Sequence, residues 1–309
     1  MRYLVLAAIG ALASILANRG IAVFNDGFRP IVPQFYDGQI SRKELATMSF
    51  AISFGLVIGF AIPTSIAASI ILIHCILLTT DIIGTFCPDS LVGTVIAGVV
   101  GAAYGVAILL GLESIVNLFG SLPFNFLANL GSVSSFVTAA FAIFPSVAVG
   151  YQHGFKKGAI AGLITLVVYL LTVKFGKFAL GDAKVALNGF GMAMLAGMVC
   201  LLAFATGVKG TGDANSSLVT TFGDKVKRIR ANWWLLAIMG GLVAMATSLG
   251  IVAGDPISLG LVSEGSWAEA AMVALARAIG FVPLVFTTAI VTGVYGPAGS
   301  TFVFVVGLL

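Results

Sequence analysis

The sequence predicts an all-α, polytopic membrane protein, and its composition carries that prediction. Of the 309 residues, 59% are hydrophobic and only 9% are charged, whereas an ordinary soluble domain carries about 25% charged residues. The mean hydropathy is +1.11. So few charged side chains cannot cover a water-exposed surface, so lipid must be the main solvent. We expect one multi-span membrane domain over residues 1–309, with roughly eight spans and additional re-entrant pieces.

Apolar runs, separated by short polar stretches, set the expected order of the helices. The first run covers residues 3–18. A second covers residues 45–62 and follows a helix-start signal, because Ser41 can cap the helix and Glu44 stands three positions later. Small residues in the run over residues 91–112 predict close helix contacts. The later apolar runs cover residues 91–112, 132–151, 158–173, 189–208 and 233–252.

Some runs are too short or too interrupted to be simple spans. Residues 66–78 form a short apolar piece that ends in Thr79, Thr80 and Asp81, and Asp255-Pro256 interrupts the chain after residue 252. Broken helices expose polar backbone groups, which membranes tolerate only around a site lined by protein or water. We therefore predict broken or re-entrant helices. For the piece that ends at Asp81, the alternative is a helix that stops at the interface with its carboxylate in water.

Residues 25–34, which read Asn-Asp-Gly-Phe-Arg-Pro-Ile-Val-Pro-Gln, form the most informative stretch. An acid, a base, an amide and two prolines lie between two apolar runs. Ionisable groups at membrane depth are costly and usually face a cavity or a partner. We interpret Asn25, Asp26 and Arg29 as part of a substrate or ion site. Two alternatives stay open: an interfacial loop with both charges in water, or a structural salt bridge between Asp26 and Arg29.

A weak sequence similarity between two parts of the chain extends the candidate site toward the other end of the sequence. Residues 27–32 resemble residues 280–285, and the pair Thr79-Thr80 resembles Thr287-Thr288. Paired broken segments in two halves are a sequence indicator of a transporter site. The spacings differ between the two copies, and coincidence in a low-diversity apolar sequence is the alternative. We add Thr287 and Thr288 to the candidate residues.

The hydrophilic segment 209–232 is expected to be a cytoplasmic loop. Its end carries a dense basic cluster, at residues 224–230, beside Trp233 and Trp234. Basic residues next to an aromatic pair are typical of a cytoplasmic membrane interface. Binding of anionic lipid is a second interpretation. The same segment allows a different function, a non-transporting scaffold that docks soluble enzymes.

No recognisable catalytic or cofactor motif stands out. The three cysteines form no CxxC pair, and the two histidines are far apart, so we expect no metal site and no cofactor. No phosphate-binding loop or nucleophile elbow is present. His153 near Lys156 is the only base-like cluster, without an obvious nucleophile. Basic residues are scattered between apolar spans, which argues against nucleic-acid binding. We expect a protein that is not an enzyme and has no catalytic residues.

Five stretches of the sequence resemble the YhfT family of bacterial inner-membrane proteins. They are AVFNDGFRPIVPQ at residues 22–34, TDIIG at 80–84, FAIFP at 141–145, YQHGFK at 151–156 and GFVPLVFTTAIVTGVY at 280–295. They occur in the family's order and cover both ends of the chain. Family members continue with more hydrophobic segments, so the resemblance implies that the chain is truncated at its C-terminus. It also implies a transporter encoded among metabolic enzymes, with no binding residues assigned.

The short broken helices are also similar to those of elevator-type carriers such as the phosphotransferase-system ascorbate and galactitol permeases. That resemblance implies an elevator-like mechanism and a homodimer. We expect secondary transport of a small polar, anionic metabolite across the bacterial inner membrane, with lipid around the protein; a channel is an alternative. Arg29 would bind the anionic group, and Asp26 or Asp81 would hold a coupling proton or cation. Neutral hydrogen bonds would come from Asn25, Thr79, Thr80, Thr287 and Thr288.

Overall fold

The fold is mainly helical, as the composition predicts. The structure is a computed structural model that describes residues 1–25, 27–123, 126–180, 183–206, 226–227, 229–254, 261, 264–273 and 294. Within that part of the chain, three helices are long and apolar enough to cross a membrane: residues 42–68, 91–120 and 155–175. Shorter apolar helices accompany them. These features are those of an all-α membrane protein, with two small strand pairs added.

The elements follow one another with short connections. The helices are α1 (Arg2–Asn18), α2 (Val32–Tyr36), α3 (Arg42–Leu56), α4 (Ile62–Ala68), α5 (His74–Phe86), α6 (Leu91–Gly120), α7 (Phe126–His153), α8 (Phe155–Phe175), α9 (Gly189–Thr206) and α10 (Trp233–Ser248). A π-helical turn, Val57–Ala61, joins α3 to α4. The strands are β1 (Ile71–Leu72), β2 (Lys177–Leu180), β3 (Ala183–Ala186) and β4 (Val252–Ala253).

The helix α1 lies against α6 at backbone distance, and glycines make this approach possible. A Cβ atom on Gly10 would stand 2.1 Å from the carbonyl oxygen of Gly101. One on Gly105 would stand 2.1 Å from the carbonyl oxygen of Leu6. Gly101 and Gly105 are four residues apart and so occupy one face of α6, the spacing that lets membrane helices meet closely. The predicted close contacts within residues 91–112 are confirmed.

Two groups of helices share the apolar core. The first contains α1, α3, α5, α6 and α10, and its buried side chains include Leu6, Ile9, Leu72 and Ile76. The second contains α7, α8 and α9, with Met194 and Met198 in its core. The antiparallel hairpin β2–β3 connects α8 to α9. The helix α7 contacts α4 and α6 and so links the two groups.

Two helices, α4 and α10, are broken in the same way. Ser69, just after α4, and Gly250, two residues after α10, adopt left-handed backbone angles, with φ of +56° and +65°. In each case the next residue donates its N–H to the carbonyl five positions back, at 3.2 Å after Ser69 and 2.9 Å after Gly250. This is the Schellman ending of a helix. Each break is followed by a two-residue strand.

The two strands that follow these breaks pair with each other. Ile71 lies opposite Val252, and Leu72 lies opposite Ala253, in parallel register. The N–H of Ile73 donates to the carbonyl of Ala253 at 2.8 Å. All these residues are buried. Buried backbone outside a helix must find partners for its polar groups, and each break supplies partners to the other.

Several boundaries differ from the prediction. The helix α5 continues through Thr79-Thr80-Asp81 to Phe86, and the break lies before it, at residues 69–73. The helix α6 continues past Glu113 to Gly120, and α7 starts at Phe126 and keeps Pro145 inside it. Polar residues therefore do not end these helices, because side chains such as Asp81 and Glu113 find hydrogen-bond partners in other parts of the chain. The segment 209–225 lies outside the described residues, so the expected cytoplasmic loop stays a prediction.

Candidate functional site

Asp81 occupies the centre of the candidate site. It lies in the middle of α5 and is 0% exposed. The backbone N–H of Phe24 donates to both carboxylate oxygens, at 3.1 and 2.8 Å. The N–H of Asn25 donates to one of them at 2.8 Å. Successive backbone N–H groups that converge in this way form an anion-binding nest. Asp81 therefore fixes the segment that connects α1 to α2.

Asn25 links this segment to α3. Its side-chain oxygen accepts the N–H of Gly27 at 3.0 Å, which forms a local turn. Its side-chain nitrogen donates to the hydroxyl of Ser53 at 3.0 Å. Asn25 is 5% exposed and Ser53 is fully buried. The amide therefore has both of its polar atoms occupied, and it joins the loop to a helix that the sequence did not implicate.

Arg29 lies one turn beyond Asn25 in the same segment. Its backbone N–H donates to the carbonyl of Asn25 at 3.1 Å, and the residue is 3% exposed. A buried guanidinium requires compensating oxygen atoms, because the desolvation of its charge is costly. The interpretation of Arg29 as a charge in open water does not fit this burial. Whether Arg29 pairs with Asp26 stays open, because Asp26 lies outside the described residues.

The two threonines before Asp81 face different surroundings. The hydroxyl of Thr79 accepts a hydrogen bond from Tyr104 of α6 at 3.0 Å. The hydroxyl of Thr80 donates to the carbonyl of Leu77 in its own helix at 2.9 Å. Neither is hydrogen-bonded to Asn25 or Asp81 in the described part of the chain. Thr287 and Thr288 lie outside the described residues, so the predicted grouping of the two threonine pairs stays a prediction.

A polar network beside Asp81 was missed by sequence reasoning. Arg42 donates to the carbonyls of Gly84 and Cys87, at 2.8 and 2.9 Å. Asn18 donates to the same two carbonyls, and its oxygen accepts from Thr94 at 2.8 Å. The two side chains thus satisfy carbonyls at the end of α5, which would otherwise lack partners. The local sequence carries no signal for this, because the partners lie 24 to 76 positions away.

The arrangement places charged and hydrogen-bonding groups away from water. One buried carboxylate, one buried guanidinium and an amide lie on a single loop and the helix behind it. The loop is fixed by backbone hydrogen bonds rather than by apolar packing alone. The described residues include no group of three or more His, Cys, Asp or Glu side chains that could hold a metal ion. Hydrogen bonding and ion pairing are the interactions that these buried groups can offer a ligand.

Comparison with known proteins places the chain in a family. The matching family model is YhfT, described as a protein of unknown function, and it matches residues 2–309. A protein of Escherichia coli K12 titled "Uncharacterized protein YhfT" is 34% identical over 325 aligned residues, which cover 100% of this chain and 72% of that relative. No solved structure matches the chain. The family resemblance inferred from five stretches is confirmed, and the chain belongs to the YhfT family.

Proposed function

We propose that the protein is a secondary transporter rather than an enzyme. Its cargo is a small polar, anionic metabolite, and it acts in the bacterial inner membrane as a multi-pass protein. The observation that carries the proposal is the pair of broken helices, α4–β1–α5 and α10–β4, which meet through parallel strands. Matched breaks in two parts of a membrane chain are typical of transporter binding sites, because unwound backbone supplies polar groups at depth.

The buried charges support the same conclusion. Asp81 lies in the middle of α5, the helix that follows one of the breaks, and it fixes the loop that carries Asn25 and Arg29. Ionisable groups within membrane segments mark substrate and ion pathways, because their burial needs a functional reason. In this proposal Arg29 binds the anionic group of the cargo, and Asp26 or Asp81 holds the coupling proton or cation. Asn25 contributes a neutral contact, with Thr79, Thr80, Thr287 and Thr288 as further candidates.

The mode of transport is alternating access of the elevator type, in a homodimer. This part of the proposal rests on the similarity of the broken-helix pattern to that of the elevator carriers. The hydrophilic segment 209–232 faces the cytoplasm, and lipid surrounds the apolar faces of α6 and α8, where many large side chains are exposed. No nucleic acid takes part. A channel and a docking scaffold are the competing functions.

A ligand screen followed by flux measurement tests the proposal. The intact protein is purified in detergent, and its thermal stability is measured with sugars, sugar acids, amino acids and their phosphates. A ligand that binds only the folded state adds about 2.7 kcal/mol at a hundredfold excess over Kd. A stabilising compound is then offered, radiolabelled, to liposomes that contain the protein. We expect saturable uptake and exchange with unlabelled compound on the other side.

Three outcomes contradict the proposal. Uptake that never saturates and shows no exchange indicates a channel. Recovery of soluble enzymes that depends on residues 209–232, with no flux of any compound, indicates the scaffold. Uptake by wild type and Arg29→Ala at the same rate, with both proteins equally folded, removes Arg29 from the site. Arg19→Ala is the matched control, because Arg19 is an exposed arginine at the end of α1.

A further inference from the structure

Eight hydroxyl groups in the described helices donate back into their own helix. The donor hydroxyl bonds to the carbonyl four positions earlier, at 2.6 to 3.0 Å. This is the normal way to satisfy a serine or threonine that has no water nearby. The residues that do so are Thr47, Ser65, Thr85, Thr94, Ser114, Thr165, Thr172 and Thr247.

Two serines of α3 depart from this pattern. Ser49 and Ser53 are each 0% exposed. Across the part of the chain that the structure describes, the Ser49 hydroxyl has no hydrogen-bond partner. The Ser53 hydroxyl accepts the amide of Asn25 at 3.0 Å, and no acceptor for its own proton is found among the described residues. A buried polar group without a partner costs about 1–3 kcal/mol, so an acceptor beside the Ser49 hydroxyl would be stabilising, and an acceptor beside Ser53 would take its remaining proton.

The two hydroxyls lie on the side of α3 that faces the candidate site. Residues four apart share one face of a helix, so Leu45, Ser49 and Ser53 form a line. Leu45 belongs to the same buried cluster as Phe28 and Val32. Ser53 contacts Asn25. Ser49 lies between these two contacts and therefore faces the segment that carries Arg29.

We infer that Ser49 and Ser53 are ligand-binding residues, and that their ligand is a small hydroxylated carboxylate. This inference rests on the proposed function, because it names the cargo class of the same site. Hydroxyl protons without an acceptor are complementary to oxygen atoms of a ligand. The Arg29 guanidinium matches a carboxylate in geometry and charge. The serine pair then takes ligand hydroxyl oxygens, which an unsubstituted fatty acid lacks.

A third buried serine provides an internal control. Ser14 of α1 is also 0% exposed, and its hydroxyl has no hydrogen-bond partner in the described residues. It faces α6, where a Cβ atom on Gly101 would stand 2.3 Å from the Ser14 hydroxyl oxygen. The backbone of α6 lies directly in front of this hydroxyl. Close helix packing therefore accounts for the missing partner of Ser14, which makes this serine the control for Ser49 and Ser53.

Substituted-cysteine labelling tests the site without knowledge of the natural cargo. Ser49→Cys, Ser53→Cys and Ser14→Cys are made separately after Cys75, Cys87 and Cys200 are replaced by alanine. Each intact protein, reconstituted in liposomes, is exposed to a small sulfonate-bearing thiol reagent. We expect reaction at positions 49 and 53 and none at position 14. Reaction at none of the three positions overturns the inference, and so does equal reaction at all three.

Competition defines the ligand class. Glycerate, tartrate and gluconate are each compared with the acid of equal carbon number that lacks hydroxyls, namely propionate, succinate and hexanoate. At a tenfold excess over Kd, labelling slows roughly tenfold because the site is occupied. We expect at least one hydroxylated acid to protect positions 49 and 53, while its partner acid does not. Equal protection within every pair, or no protection by any compound, overturns the hydroxy-acid assignment.

The two proposals fail in different ways. Labelling and protection without any flux of the protecting acid would refute transport and leave the binding site standing. Flux of some solute, with positions 49 and 53 unreactive throughout, would refute the serine site and leave transport standing.

Discussion

The conformation of the loop between α1 and α2 depends on the side-chain carboxylate of Asp81. Two backbone N–H groups, from Phe24 and Asn25, donate to this fully buried carboxylate at 2.8 to 3.1 Å. A carboxylate offers only acceptors, so every lone pair suits an N–H donor. These hydrogen bonds hold the loop in addition to the apolar packing of Phe24 and Phe28. The position of Arg29 and Asn25 therefore follows from a residue more than fifty positions away.

Asp81→Asn tests this role. The asparagine amide group would oppose a backbone N–H with another donor, so one hydrogen bond becomes a repulsion. We expect a loss of about 1–3 kcal/mol in the free energy of unfolding, measured by thermal unfolding of the purified protein. Asp89→Asn makes the same change at an exposed position just after α5 and should cost little. Similar losses in both variants would contradict the role of the nest.

Arg42 likewise stabilises backbone groups, at the end of α5. Its Nε and Nη2 atoms donate to the carbonyl of Cys87 at 3.2 and 2.9 Å, and Nη2 also donates to Gly84 at 2.8 Å. The planar guanidinium reaches these carbonyls together, which a single ammonium group cannot do. The same guanidinium lies 3.4 to 3.5 Å from the carbonyl oxygen of Asn18. One side chain thus connects α3 to the ends of α5 and α1.

Arg42→Lys keeps the charge and loses that geometry. We expect the free energy of unfolding to fall by about 1–3 kcal/mol, because carbonyls at the end of α5 lose donors. Chemical or thermal denaturation followed by tryptophan fluorescence measures the loss. The neighbouring exposed Lys43 gives the control, Lys43→Arg, which should leave stability unchanged. If Arg42→Lys also leaves the free energy of unfolding unchanged, Asn18 alone satisfies the carbonyls of Gly84 and Cys87.

At the scale of elements, the contact between α1 and α6 depends on missing side chains. Gly105→Ala would place a Cβ atom 2.1 Å from the Leu6 carbonyl oxygen, so one helix must move away. We expect a loss of about 1–3 kcal/mol from this overpacking. Gly111→Ala, in the same helix, meets nothing within 4 Å and should be neutral or stabilising. Thermal unfolding of both variants measures the change in the free energy of unfolding. Equal changes would mean that α1 and α6 do not touch at Gly105.

Local signals in the sequence were sufficient for some elements and not for others. The start of α3 was predictable, because Ser41 and Glu44 satisfy each other's backbone within one turn. The break after α10 had a glycine, Gly250, in the left-handed conformation. The break after α4 has Ser69 there instead, and a serine gives no such signal. The apolar residues of β1 are equally compatible with a helix, because they form a strand only by pairing with the distant strand β4.

The candidate site was predictable in part for the same reason. Asn25 and Asp81 were selected because polar groups between apolar runs are costly, and the structure joins them through the Asn25 backbone N–H. The contact between Asn25 and Asp81 could not be predicted from the sequence, because it depends on how α1 and α5 pack. Ser49 and Ser53 had one usable signal, a four-residue spacing of hydroxyls in an apolar helix. Thr79 was selected with Asp81 as one polar cluster, yet it faces Tyr104.

For the whole molecule, the pairing of β1 with β4 joins the early and late parts of the chain. The two broken helices end alike, and parallel pairing means that their strands run in the same direction. Repeats related by an axis along the membrane normal have this relation. The strands are buried among residues of the main core. The junction therefore holds the two parts of the chain in a fixed register.

A disulfide across the junction tests this register. Opposite residues on paired strands share a face, whereas a shift of one residue turns the side chain to the other face. In a cysteine-free chain with a protease site inserted in the hydrophilic segment, we expect Ile71→Cys with Val252→Cys to cross-link under mild oxidation. The two fragments would then migrate together until reduction. Leu72→Cys with Val252→Cys is the mismatched control and should link at least about tenfold more slowly, because its side chains point apart. Faster linking in the control would mean that the strands pair in another register, and with it that the two breaks do not meet as matched parts of one site.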